Sequence, residues 1–380
     1  MNRTTRRTES TKKKPVLHLA LELGGKEWKL AFAAEVGQRA RLRTIRAADL
    51  ADLVHEIARA KTRFGLPASA RVVSCYEAGR DGFWLHRWLC AHGVENCIVD
   101  SSSIEVNRRA RRAKTDRLDA QKLLSQLLRF AEGERKVWSV VRVPTVEQED
   151  ERQLSRELEQ LKSERTAHCN RIQGLLQSQG IRLKVGQKFL DQLAEIVLWD
   201  GQPLPEGMRQ RLLREAERLQ GVQEQILQLG RQRRQRLKEA SDATTEKLRQ
   251  LIGLKAIGEN SSWVFVTEFF GWRDFRNRRQ IGALAGLAPQ PYQSGESVDH
   301  TLGIGGGNRR LRSMAIEIAW AWLRFQPRSR LSLWFQQRYG PGSRRTRRIG
   351  IVALAWKLLI ALWRYLQTGV LPDGAELKTA

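Results

Sequence analysis

Four carboxylates stand where their convergence would hold a hard cation. Glu22 closes the apolar run Val16-Leu-His-Leu-Ala-Leu-Glu22, and Glu77 follows Arg71-Val-Val-Ser-Cys-Tyr76. Asp116 and Asp119 lie in Ala113-Lys-Thr-Asp-Arg-Leu-Asp-Ala120, and a spacing of three puts both on one face of a helical turn. Mg²⁺ (or Mn²⁺) takes oxygen ligands from several elements and keeps part of its water shell. A pair of such ions clamps the attacking and leaving oxygens of a phosphoryl transfer. Singly, each acid has a plainer reading: Asp116 as a helix N-cap, Glu77 as a turn residue. The setting favours chemistry, because like charges at the ends of neighbouring strands repel unless a cation lies between them. The Asp pair is also flanked by Arg108, Arg109, Arg111, Arg112, Lys114 and Arg117, groups that suit a phosphate backbone.

A second constellation follows residue 248. Ser294 lies in Pro289-Gln-Pro-Tyr-Gln-Ser-Gly-Glu-Ser-Val298, a Gly- and Pro-rich loop of the kind that presents a hydroxyl to a substrate. Most loop serines only shape turns, Ser297 competes for the same role, and His300 is near enough in sequence to assist proton transfer. Arg276, Arg278 and Arg279 stand beside Trp272 and Phe275. Gly303-Ile-Gly-Gly-Gly-Asn308 precedes Arg309, Arg310 and Arg312, bringing amides and guanidinium groups to a phosphate. Leu251-Ile-Gly-Leu-Lys-Ala-Ile-Gly-Glu-Asn260 reads equally as a phosphate-binding helix-hairpin-helix turn or an ordinary helix–helix turn.

These groups need a frame, and the pattern supplies three zones between a basic arm, 1–14, and a tail, 372–380. In 15–143, strands at Val16 to Glu22, Trp28 to Ala33 and Leu42 to Ile45 precede a helix marked by Leu50, Leu53, Val54, Ile57 and Ala58. A strand at Arg71 to Tyr76, a helix at Phe83 to Ala91, a strand at Cys97 to Val99 and a helix at Asp116 to Phe130 complete a mixed α/β sheet with a hairpin at one side. Two strand-terminal acids and a helical Asp pair form the pattern of an RNase H-like nuclease fold. In 144–247, Leu154, Leu158, Leu161, Arg165, His168, Ile172 and Leu175 step by fours and threes, as do Leu212, Ala216, Leu219, Val222, Ile226 and Leu229. These predict a coiled-coil arm of two antiparallel helices, serving either self-association or an intramolecular hairpin. The third zone, 248–371, is mostly helical. Its Trp320, Trp322, Trp356 and Trp363 have core-like settings.

Sixty-seven Lys and Arg against 41 Asp and Glu give +26, a field that draws polyanions and makes a nucleic-acid partner the strongest expectation. Four cysteines without C-x-x-C spacing argue against structural zinc. The polar, basic N-terminus is no signal peptide. Ile349 to Trp363 is short for a bilayer span and broken by Lys357, so a buried helix and a cytoplasmic protein without a membrane partner are expected.

Taken together, Tyr76-Glu-Ala-Gly79, Lys114-Thr-Asp-Arg-Leu-Asp-Ala120, Glu164-Arg, Asn170-Arg-Ile, Leu175-Leu, Gly286-Leu-Ala-Pro-Gln-Pro-Tyr-Gln-Ser-Gly295 and Gly307-Asn-Arg-Arg-Leu-Arg312 closely resemble the DEDD transposases of insertion-sequence family 110. The resemblance runs from about residue 16 to 335. It implies an RNase H-like (RuvC-like) domain whose Glu22, Glu77, Asp116 and Asp119 bind metal, a coiled-coil arm, and a C-terminal domain whose Ser294 forms a covalent serine–DNA ester. It also implies a dimer or tetramer in which the acids of one protomer meet the serine of another, donor and target DNA as substrates, and a bridge RNA as guide. One departure stands out: the family's first acid is usually Asp, and Glu22 reaches one methylene further. Glu27, beyond the Gly24-Gly25 turn, is the weaker substitute. A hydrolytic Holliday-junction-type nuclease and an inactive RNA/DNA-binding copy remain the alternatives.

Overall fold

The computed structural model describes residues 15–104, 115–186, 189–292, 300–304 and 307–379. The chain divides into two compact units, Met1–Pro144 and Thr145–Ala380. Ser294 and Ser297 lie outside the described residues, as do Arg108, Arg109, Arg111, Arg112 and Lys114.

The first unit is a five-stranded mixed sheet. Strands β1 (Val16–Leu23), β2 (Glu27–Ala33), β3 (Arg41–Arg46), β4 (Arg71–Glu77) and β5 (Val94–Val99) take the order β3-β2-β1-β4-β5. β1 and β3 each pair antiparallel with β2, while β1, β4 and β5 run parallel. Helices α1 (Leu50–Arg63) and α2 (Trp84–Ala91) supply the crossovers. Alternation along β1 sorts its side chains by face. Leu17, Leu19 and Leu21 join Trp28, Leu30, Phe32, Val72 and Tyr76 in one core with α1 and α2. Ala20 joins Ala31, Ala33 and Cys75 in a second core under α3 (Asp116–Ala131). Small residues on that face let the helix approach closely. Thr115, not Asp116, is its N-cap, accepting from the Leu118 amide, so the structural reading of Asp116 as a cap does not hold.

Two expectations shift in detail. The buried stripe of α1 is Leu53, Glu56, Ile57 and Ala60, with Val54 exposed. Glu56 is tolerated there because Arg41 pairs with it at 2.5 Å and Arg59 at 2.8 Å. β5 starts at Val94, three residues before the expected Cys97.

The second unit is helical. A short α4 (Val146–Asp150) precedes α5 (Gln153–Gln177), and a short α6 (Phe189–Leu193) precedes α7 (Glu206–Glu239). α5 and α7 are antiparallel: Leu158 and Leu161 pack with Val222 and Leu229, while Ile172 and Leu176 pack with Leu212, Ala216 and Leu219. The expected polar centre of the seam is a cluster in which His168 and Arg171 reach the Glu215 carboxylate at 2.7 and 3.0 Å. Burial alone would raise that carboxyl's pKa, but these two partners hold it below its ordinary value.

Beyond them come α8 (Ala243–Gly253), α9 (Glu259–Phe265), a π-helical turn (Val266–Phe270), α10 (Arg278–Leu284), the hairpin β6 (Pro289–Tyr292) and β7 (His300–Ile304), α11 (Arg309–Phe325), α12 (Arg330–Tyr339) and α13 (Arg344–Thr368). α13 has 25 residues, longer than the apolar stretch that flagged it, and by length and composition alone it is long enough to cross a bilayer. Here it is a core helix: Leu354, Leu358, Leu359 and Leu362 pack with Trp263, Phe269, Leu311 and Trp322. Trp322 is buried as expected, whereas Trp320 is 41% exposed. The tail pairs Leu377 with Leu254, and the Lys378 ammonium donates to the Ile252 and Ile257 carbonyls.

Candidate functional site

Register and helix direction bring the four acids to one end of the first unit's sheet. The β1–β4 pairing aligns Ala20 with Cys75 and Leu21 with Tyr76, so Glu22 and Glu77 are the next pair along two parallel strands. By alternation both belong to the face of Ala20 and Cys75, the face that α3 covers. The Cys75 thiol lies against the Leu123 carbonyl. Glu132, at the far end of α3, lines the same cavity as His18, near the start of β1. The helix therefore runs opposite to the two strands, and its first turn comes to their C-terminal ends. From Leu123 back to Asp119 is about 6 Å of helix, and from Cys75 on to Glu77 about 6.6 Å of strand. Asp119 is thus level with the strand-end acids, and Asp116 lies one turn beyond.

Glu22 and Asp119 are half-buried, while Glu77 and Asp116 are exposed. Among the described residues, no three His, Cys, Asp or Glu side chains stand close enough together to hold a metal ion. The acids share an end and a face without forming a closed cage. Their donor chemistry fits Mg²⁺ or Mn²⁺, and the exposed pair has the rotamer freedom to swing inward. Glu27 is engaged elsewhere, accepting from Lys29 Nζ at 2.8 Å, a bond that lowers its pKa. Arg117 is exposed on the first turn of α3. Sequence reasoning overlooked Arg80, whose guanidinium packs over Gly25 so closely that a Cβ there would lie 3.1 Å from its Nη2. It sets a cation beside the turn that follows Glu22. The available signal was its place three residues after Glu77.

In the second unit the geometry describes the base of the hairpin rather than its tip. Gly307 has φ +60°, and a Cβ on it would lie 2.5 Å from the Gly286 nitrogen and 2.6 Å from the Leu284 carbonyl oxygen. The Asn308 amide donates to that same carbonyl at 3.0 Å. Asn308 then caps α11 by accepting from the Leu311 amide, and its Nδ2 donates to Glu268 at 3.2 Å. Glu268, 3% exposed, sits on the π-helical turn and also accepts from Arg156 Nε at 2.7 Å and Nη2 at 3.1 Å. Burial opposes ionisation, but the Arg156 and Asn308 bonds win and hold its carboxyl below the usual range. A Gly307→Ala change is expected to destabilise this unit by at least ~1–2 kcal/mol, because it combines a left-handed backbone with a clash against main chain. A thermal melt unchanged from wild type would refute the pinched-base description.

The expected phosphate contacts divide. Arg276, Arg278, Arg279 and Arg309 are exposed. Arg310 is paired with Glu159 at 2.5 Å, though an exposed pair is weak enough to release to a phosphate. In the helix–helix turn, the Lys255 amide donates to the Glu376 carbonyl and the Gly258 amide to Ser261 Oγ. Those two amides are already taken within the protein.

A family model described as Transposase IS116/IS110/IS902 family matches residues 248–333. The chain is 41% identical over 379 residues to "Putative transposase y4rJ" of Sinorhizobium fredii, covering 96% of this chain and 95% of that one. It is 29% identical over 268 residues to "Transposase for insertion sequence element IS1111A" of Coxiella burnetii, covering 67% of this chain and 66% of the relative. It is 30% identical over 230 residues to "Probable family 20 transposase" of Pseudomonas aeruginosa, covering 60% of this chain and 66% of the relative. An end-to-end match to a transposase defines the class as an enzyme that mobilises DNA. Within that class, the chain belongs to the IS110/IS116/IS902 family of transposases.

Proposed function

We propose that this transposase cuts and rejoins DNA with two sets of groups: the carboxylates Glu22, Glu77, Asp116 and Asp119, and the hydroxyl of Ser294. The observation that carries the reading is the placement of Glu22 and Glu77 at neighbouring ends of two parallel strands, on the face of the sheet that the Asp119-bearing helix covers. The order β3-β2-β1-β4-β5, with β2 reversed, also supports an RNase H-like reading of the first unit. The four acids would hold one or two divalent cations, Mg²⁺ or Mn²⁺. When bound, such an ion supplies Lewis-acid stabilisation of charge developing on phosphate oxygens. Ser294 Oγ bonds to phosphorus as one P–O ester bond of the strand breaks, the hydroxyl proton leaves, and the departing sugar oxygen takes up a proton. The new phosphodiester retains the energy of the old one, so rejoining needs no nucleotide hydrolysis. His300 is the nearest candidate in sequence to take the serine proton.

The charge of +26 is compatible with holding a structured bridge RNA as well as donor and target DNA. The α5–α7 pair is read as a coiled-coil arm supporting a dimer or tetramer.

One experiment tests the reading. Purified protein, with its co-purified nucleic acid sequenced and retained, is incubated with Mg²⁺ and a nicked suicide DNA substrate. A protein–DNA adduct should form, should vanish in Ser294→Ala, and should vanish after RNase treatment. Cleavage without an adduct would favour a hydrolytic nuclease, and an adduct that survives Ser294→Ala but not Ser297→Ala would move the nucleophile. RNase-insensitive adduct formation would remove the guide RNA.

A further inference from the structure

We propose that the groove between α11 and the start of α13 docks the phosphate backbone of double-stranded DNA. The groove encloses about 670 Å³ and is lined by Ile316, Trp320, Arg344, Arg347, Arg348 and Ile351. Its arginines lie beyond the 248–333 match, although Ile316 and Trp320 fall within it, and they are apart from the groups assigned to strand chemistry above.

The arginines have no structural work that would explain them. Arg344, Arg345, Arg347 and Arg348 are exposed, and none forms an ion pair with a carboxylate among the described residues. α11, α12 and α13 together carry a single acid, Glu317, which acts on Lys162 of α5. Four cations in the opening turn of α13 are spaced i,i+3 and i,i+4, so they repel one another. They also face the positive end of the helix dipole, where anions are favoured and cations are not. Such a turn weakens its own helix and gains only from an outside anion.

The helix that carries them is rigidly seated. Ser343 caps it by accepting from the Thr346 amide. Gly350 allows a close approach to the Tyr339 ring, where a Cβ would lie 2.4 Å from Cγ, and Gly282 does the same for the Trp356 indole. The backbone that carries the guanidinium row is therefore fixed before any partner arrives, which leaves only side-chain freedom to be lost on binding. From Arg344 to Arg348 the helix rises about 6 Å, close to the axial rise of two nucleotides, about 3.4 Å each, along one duplex strand. Trp320, packed edge-on to Phe335 with centroids 6.3 Å apart, is 41% exposed and gives the groove an apolar wall for sugar edges. DNA is the occupant because a transposase must hold it.

The test compares the full-length wild type with a variant carrying Arg344→Gln, Arg345→Gln, Arg347→Gln and Arg348→Gln. Anisotropy of a labelled random-sequence duplex is followed from low to high salt. Each lost phosphate contact should lower the magnitude of the slope of log K against log salt by about 0.9, so losing all four should lower it by about 3.6, with the melting temperature unchanged or raised. A charge-matched control with Arg211, Arg214, Arg231 and Arg234 changed to Gln should keep its slope. An unchanged slope in the first variant, an equal loss in the control, or a loss confined to RNA or to an acidic polypeptide probe would overturn the proposal.

Discussion

Asp119→Ala is expected to abolish measurable strand cleavage, a loss of at least about a thousandfold, while DNA binding stays near wild type. Groups that only support a metal ligand already cost about 10–100-fold when removed, and a ligand itself should cost more. Asp119 is the sharpest place to ask, because it is half-buried and level with Glu22 and Glu77, whereas Asp116 is exposed and a turn further out. The change should leave the fold intact. Thr115 remains to cap α3, and Ala is the stronger helix former, which offsets the lost attraction between an acid and the helix N-terminus. Arg117 and the other cations proposed to contact phosphate are untouched. Glu22→Asp provides the companion measurement: if Glu22 occupies the family's first acidic position, shortening it by one methylene should retune the rate rather than remove it. Full cleavage by Asp119→Ala would end the carboxylate assignment, and a coincident loss of DNA binding would point to misfolding or a different role.

The residues that sequence placed well share a property: their signal was periodic and local. β1 and β4 are continuous apolar runs, and the two long helices of the second unit announced themselves through steps of three and four whose buried members match, Leu158, Leu161 and Ile172 facing Leu212, Ala216, Leu219 and Val222. What could not be read were polar groups whose meaning lies in a partner far along the chain. Glu56 passes for a surface residue of α1 until Arg41 arrives from β3. Glu268 lies 112 residues from Arg156 and 40 from Asn308, and no local pattern marks it. Arg80, three residues after Glu77, gains its meaning from Gly25, the glycine 55 positions earlier that it covers. The basic turn of α13 lacks a local signal for another reason: its four arginines precede the apolar run that begins at Ile349, and only the helix bounds join the two. For the candidate site, strand order and helix direction supply what sequence alone lacked, the placement of acids 22, 77 and 119 at one end of one sheet face. Ser294 lies outside the described residues, and its role rests on resemblance.

Glu268→Ala carries the largest expected effect on stability. Removing one partner of a buried ion pair costs about 3–5 kcal/mol because the other charge is left without its match. The low end applies here, near 3 kcal/mol, since the Arg156 side chain is 38% exposed and can still reach water. For a unit of this size that corresponds to a fall in melting temperature of roughly 6–12 °C. The damage should extend past the pair. Asn308 would lose the acceptor for its Nδ2, and Asn308 both caps α11 and ties the hairpin base to the Leu284 carbonyl. The adduct-forming reaction should therefore fall along with stability. Glu268→Gln keeps the shape and one acceptor oxygen, so it should sit between Ala and wild type. The pH dependence follows from the direction of the shift. The folded-state carboxyl titrates below its ordinary value of 4.5, so the stability it contributes is fully present above that value and is lost as pH falls through the depressed one. Wild type should lose stability more steeply than Glu268→Gln below about pH 4.5, and the two melting curves should converge in acid. Parallel curves, or an Ala variant that melts with wild type, would mean that the clasp between the π-helical turn and the base of the hairpin holds nothing.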